Sequence, residues 1–254
     1  MSTERKARIC ALLKGIETGD PDSVRVVDEG RYIQHNPQTH AGSDGLAALF
    51  KRISQSSPRV NIVRIFSDGD FVFGHTEYDF STRRIGFEVF RFEGEYAVEH
   101  WDNIQPRRGP NPAGHSMVDG ATDATDLEKT EANRELVRGF LDTCLIGGDF
   151  DALGRYVAVG YVEHNPTLGA GLPALQDALS ACDADGGRRV QYELAHRLLA
   201  EGNFVLSVNE GRCEGVHTAF YDLFRLEDGR IVEHWDTTEA VPSRREWKNE
   251  NGKF

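Results

Sequence analysis

The sequence predicts an α+β chain that holds the same fold twice, and three observations carry that expectation. Residues 87–102, FEVFRFEGEYAVEHWD, recur as residues 221–236, YDLFRLEDGRIVEHWD, with eight of sixteen positions identical. Tyr32-Ile-Gln-His-Asn-Pro37 recurs as Tyr161-Val-Glu-His-Asn-Pro166, and Arg64–Val72 is echoed by Arg197–Val205, in the same order. Each copy also opens with helical periodicity and closes with period-two alternation, helices first and then a meander of antiparallel strands. A tandem duplication accounts for all three.

The elements follow in order. Residues 4–18 and 128–146 space their apolar side chains for helices (Ile9, Leu12, Leu13, Ile16; Leu136, Phe140, Leu141, Cys144). Gly19 and Gly148 stop them, and a second short helix leads to the Tyr-x-x-His-Asn-Pro segment. Pro37 and Pro166 keep Asn36 and Asn165 out of helical geometry. A further helix spans Gly45–Ile53, or Leu172–Ala181 in the second copy, and strands follow. Phe66–Phe71 reads as a turn between two strands, and Gly86–Ile104 as a hairpin turning near Glu93-Gly94. The offset between copies grows from 129 at Asn36/Asn165 to 134 at Asp102/Asp236, so small insertions are expected in the second, one of them in Ala184–Arg188. Residues 106–128, rich in Pro, Gly and small polar side chains, read as a tail and linker. The expected division is a first domain 1–112, a linker 113–126 and a second domain 127–254.

Composition narrows the function. The chain has 254 residues and a net charge of −12 from 29 basic and 41 acidic side chains. Such an acidic balance argues against a nucleic-acid partner or an anionic membrane surface. No apolar run has the length of a membrane span, and MSTERKARIC lacks the apolar stretch of a signal peptide, so the expectation is a cytoplasmic protein. The four cysteines (Cys10, Cys144, Cys182, Cys213) are far apart, which suits reduced thiols and no metal site. Phosphate-binding glycine loops and the GxSxG elbow are absent.

The last strand of each copy holds the candidate chemistry. Alternation puts Val98, His100, Asp102 and Ile104 on one face and Glu99, Trp101 and Asn103 on the other; Val232, His234, Asp236 and Thr238 repeat the first set. Two orientations are open from the residues alone. Either His100 and Asp102 look into a pocket, or Trp101 and Trp235 face the core and the His/Asp pairs are solvated.

The motifs Tyr-x-x-His-Asn-Pro, Phe-Arg-x-Glu and Val-Glu-His-Trp-Asp, in this order and spacing, resemble the SnoaL-like family of the nuclear transport factor 2 (NTF2-like) superfamily over nearly the whole chain, twice. The resemblance implies two cone folds, each a curved antiparallel sheet wrapped on helices around an apolar pocket, and a covalent pseudo-dimer, with further homodimerisation left open. It implies cofactor-independent acid–base chemistry on a small apolar substrate, with no cofactor and no metal. It favours His100 and Asp102, and His234 and Asp236, inside the pockets. Asn36 and Asn165 fall where isomerase-like members carry a general base; an amide there can hold an oxygen but cannot take a proton. Glu88 and Asp222 match a pocket carboxylate that burial would keep protonated. His35 and His164 either cap the pocket mouth or bond the backbone, and His75 could enter the first cone.

The resulting expectation is a cyclase, isomerase or dehydratase in which Asp102 or His100 removes a proton beside a carbonyl. The alternatives are a non-catalytic binding module and an epoxide hydrolase of the polyether type. Because Val208 stands where the first copy has His75, the first cone is expected to be the more active.

Overall fold

The computed structural model describes residues 2–254 and divides into two compact units. The first unit contains the residues up to Arg107 together with Pro242–Phe254, and the second contains Arg108–Val241. Each unit thus takes the segment that follows the other's last strand in sequence. This departs from the division at 112 and 126. The reason lies in side-chain amides that find backbone carbonyls. In the first unit Asn249 Nδ2 donates to Asn36 O and Thr39 O, and Asn251 Nδ2 donates to Gln34 O. In the second, Asn111 Nδ2 donates to Glu163 O, and the indole N–H of Trp235 donates to Asp119 O.

In the first unit, α1 (Ser2–Thr18) buries Ile9, Leu12, Leu13 and Ile16, a single apolar stripe at helical spacing. Gly19, at φ +69°, ends it by donating its N–H to Gly15 O. A 3₁₀ turn, Pro21–Val26, is capped by Asp20. Then come β1 (Ile33–Gln34), α2 (Gly42–Ser54) and four strands: β2 (Arg59–Asp68), β3 (Phe71–Asp79), β4 (Arg83–Glu93) and β5 (Tyr96–Pro106). The sheet runs β1-β5-β4-β3-β2, with β1 parallel to β5 and the rest antiparallel. Helix side chains pack with Val60, Val72, Tyr78, Phe90 and Phe92 from the strands. Truncating one such buried leucine to alanine typically costs about 2–5 kcal/mol.

The second unit repeats the plan. It comprises α3 (Thr130–Phe140), extended by a π-helical turn to Ile146, α4 (Leu153–Tyr156), β6 (Val157–Glu163), α5 (Gly171–Ser180), β7 (Val190–Glu201), β8 (Phe204–Cys213), β9 (Val216–Glu227) and β10 (Arg230–Ala240). Its sheet order, β6-β10-β9-β8-β7, is the first sheet's with every strand replaced by its counterpart. The two hairpins align Glu88 with Asp102 and Asp222 with Asp236 across the same rungs. No helix among the described residues is long and apolar enough to cross a membrane, and all four cysteines are free thiols.

Candidate active site

The cross-strand pairing fixes who can meet. Residues directly opposite in an antiparallel ladder share a face, so Glu88 and Asp102 point the same way, with Phe90 and His100 beside them. Gln34 joins through the parallel rung Gln34–His100. These side chains line a cavity of about 320 Å³ whose other walls include Leu12, Ile16, Leu46 and Phe50. Asn36, on the loop after β1, lines it too. Its amide Nδ2 donates to Asp102 Oδ2 at 2.7 Å.

A chain of hydrogen bonds orients the group. Gln34 Oε1 accepts the Asn36 N–H at 2.8 Å, so it presents the same oxygen to His100 Nδ1 at 3.1 Å. Nδ1 must therefore carry a proton. On the other side, His100 Nε2 lies 2.7 Å from Glu88 Oε2, and Tyr78 donates its hydroxyl to Glu88 Oε1 at 2.5 Å. Burial first, with Glu88 and Asp102 adding to it, pushes the Tyr78 and Tyr32 phenols well above their ordinary values, so both remain donors. Asp102 Oδ1 accepts no hydrogen bond among the described residues. The nearest cation is Lys253, whose Nζ lies 3.7 Å from that oxygen and donates to Asp102 O at 2.8 Å. Glu88, His100 and Asp102 are close enough to share an ion. Apart from Asp102 Oδ1, their side-chain atoms are already engaged: His100 with Glu88 and Gln34, Glu88 also with Tyr78, and Asp102 Oδ2 with Asn36.

The second unit reproduces half of this arrangement. Asn165 Nδ2 donates to Asp236 Oδ2 at 2.7 Å, and His234 Nε2 lies 3.0 Å from Asp222 Oδ1. Where the first unit has Gln34, however, the second has Glu163, 3.1 Å from His234 Nδ1. Burial opposes charge on His234, but Glu163 and Asp222 outweigh it and hold the imidazolium well above the usual histidine range. Burial likewise acts against Glu163, yet His234 and the Tyr161 hydroxyl keep its carboxyl below the usual range. Asp236 is pushed up to about 7, chiefly by burial and then by Glu163 and Asp222, against the opposing pull of His234.

Three of the expected site histidines lie elsewhere. His35 stacks on Trp101 at 4.7 Å, with its ring nitrogens on Glu99 and Gly252 O; His164 does the same with Trp235, Glu233 and Ser116 O. Both belong to the tryptophan face, where they support the strands. His75 pairs with Phe87, stacks on it at 4.5 Å and bonds Arg64, so it too leaves the pocket to the opposite face. The His75/Val208 difference is therefore not a difference between the cavities. Sequence reasoning passed over Gln34, Glu163, Tyr78, Tyr192 and Lys253. The first two sit inside the repeated motif and differ between copies, a visible signal. Tyr78 shares the alternation of Glu88 once the register is known; Lys253 left no trace.

Among known proteins, residues 137–234 match the family model described as a SnoaL-like domain. No curated protein matches the chain significantly. Solved structures similar to parts of it include a candidate ketosteroid isomerase from Kribbella flavida, 18% identical over 45% of this chain and 83% of that one, TM-score 0.39. An LEH-like epoxide hydrolase from M. tuberculosis is 24% identical over 44% of this chain and 85% of its own, TM-score 0.35. An NTF2-like protein of unknown function from Mesorhizobium loti is 22% identical over 44% and 94%, TM-score 0.38. Residues 137–234 thus match a SnoaL-like domain, and the first unit repeats the second's strand order, register and His/Asp/Asn constellation.

Proposed function

We propose that the first unit is an acid–base enzyme that removes a proton from carbon beside a carbonyl of a small, largely apolar substrate. The observation that carries this reading is Asp102, which lines a cavity with mainly apolar walls and whose Oδ1 accepts no hydrogen bond among the described residues. Such an oxygen can accept a proton. Its partner Oδ2 is held by Asn36, which fixes the carboxylate plane. The electron pair of the broken C–H bond passes to the carbonyl oxygen, making an enolate. Asn36 and the proton shared by His100 and Glu88 are the cavity's donors for that oxygen. Returning the proton to another carbon gives isomerisation. Passing that proton to a β-hydroxyl, which leaves as water, gives dehydration, and attack on a second carbonyl whose oxygen takes the proton gives aldol closure.

The test needs no knowledge of the natural substrate. The whole chain is incubated in D₂O with a panel of bicyclic and polycyclic ketones, and deuterium at the α-carbon is followed by NMR. Exchange that depends on Asp102 is the expected result. Ketones that bind in the cavity without exchanging would instead assign the chain to the ligand-binding modules.

A further inference from the structure

We propose that Lys253, carried on the C-terminal segment, is a positioning residue of the first site that holds Asp102 in its ionised, proton-accepting form. This rests on the reading of Asp102 as the base. Three observations support it. Lys253 is 3% exposed, and an ammonium is costly to bury unless a partner offsets the loss of water. Its Nζ meets Asp102 twice, at the backbone oxygen and beside the Oδ1 that no hydrogen bond claims. The segment bearing it is held by side-chain amides that bond Asn36 O, Thr39 O and Gln34 O, the carbonyls flanking the site.

The second unit offers a comparison, although Glu163 in place of Gln34 also acts on its aspartate. There the segment 108–119 makes the matching contact, Ser116 O to His164 Nδ1, where the first unit has Gly252 O to His35 Nδ1. The next residue along is Met117, 2% exposed, in the place that Lys253 takes after Gly252. In that unit Asp236 is pushed up to about 7, chiefly by burial and then by Glu163 and Asp222. The charged and titratable groups around Asp102 are Glu88 on the neighbouring strand, His100 on its own, Tyr32 and Tyr78, with Arg52 and Lys248 further out in the cavity wall. Beside these stands Lys253, the buried ammonium facing the carboxylate.

The test compares full-length Lys253→Met, Lys253→Arg and unaltered protein by infrared titration of ¹³C-labelled aspartate carboxyls, with Asp102→Asn identifying the Asp102 band. The methionine variant should bind the Asp102 proton at least about tenfold more tightly, shifting its titration up by about one pH unit or more, while arginine restores it. In the ketone exchange assay the acid limb of the rate profile should move by the same amount, with little change in KM. A methionine variant that titrates like the unaltered protein overturns the proposal. So do methionine and arginine variants that shift equally, since shape rather than charge would then be responsible. If the unaltered protein exchanges no ketone, the enzymatic reading fails, while the infrared comparison still decides the role of the lysine.

Discussion

The two units carry the same His/Asp/Asn constellation in the same register, yet their buried charges differ. In the first, His100 sits between one carboxylate, Glu88, and one neutral amide, Gln34. In the second, His234 sits between two carboxylates, Glu163 and Asp222. A histidine with one anionic neighbour can pass its proton on; one clamped by two is held as a cation. The phenol that serves the pocket carboxylate has also moved. Tyr78 reaches Glu88 from β3 opposite Val60, whereas Tyr192 reaches Asp222 from β7 opposite Gly211. Gly211 lies so close to β7 that a Cβ there would fall 2.0 Å from Gln191 O, so the side chain has to come from the partner strand. The two units share one scaffold and differ in their buried charges.

The sharpest way to break this comparison is to neutralise each aspartate. Asp102→Asn should lower ketone α-exchange by about 10²–10⁴-fold, while Asp236→Asn should change it by less than about threefold. Equal losses would mean two working sites. Next, transplanting the difference should disable the first unit: Gln34→Glu places His100 between two carboxylates and should slow exchange by about 30-fold, with the His100 imidazole staying protonated to higher pH in its NMR titration. The reciprocal Glu163→Gln should release the His234 proton at lower pH.

A stability measurement comes third. Asp236 titrates higher folded than unfolded, so the folded state favours its neutral form. That preference stabilises the fold at acid pH and is lost as pH rises from the ordinary carboxylate range through about 7. Asp236→Asn should therefore raise the unfolding free energy by on the order of 1–2 kcal/mol at alkaline pH, with no gain near the acid end, as read by urea titration. The smallest expected effect belongs to His75→Val, which copies Val208. Exchange should stay within about twofold, because His75 lies on the tryptophan face.

What the residues alone determined was whatever depends on local period and on repetition. Helical spacing, the Asn-Pro turns, the hairpins and the repeated motifs are one-dimensional patterns, and all were legible. Alternation separated His100 from Trp101, since neighbours on a strand must face opposite ways. It could not say which face encloses a cavity, because that depends on where the helices pack. It also could not place His75, whose face follows from its pairing with Phe87 rather than Glu88. Tertiary structure alone decided that Gln34 or Glu163 would face a histidine about 70 positions away in the chain, through parallel rungs formed by only a few residues. It alone brought Lys253, 151 positions from Asp102, into that site. A single lysine near a chain end carries no pattern, and the buried charge it meets exists only once the sheet has formed.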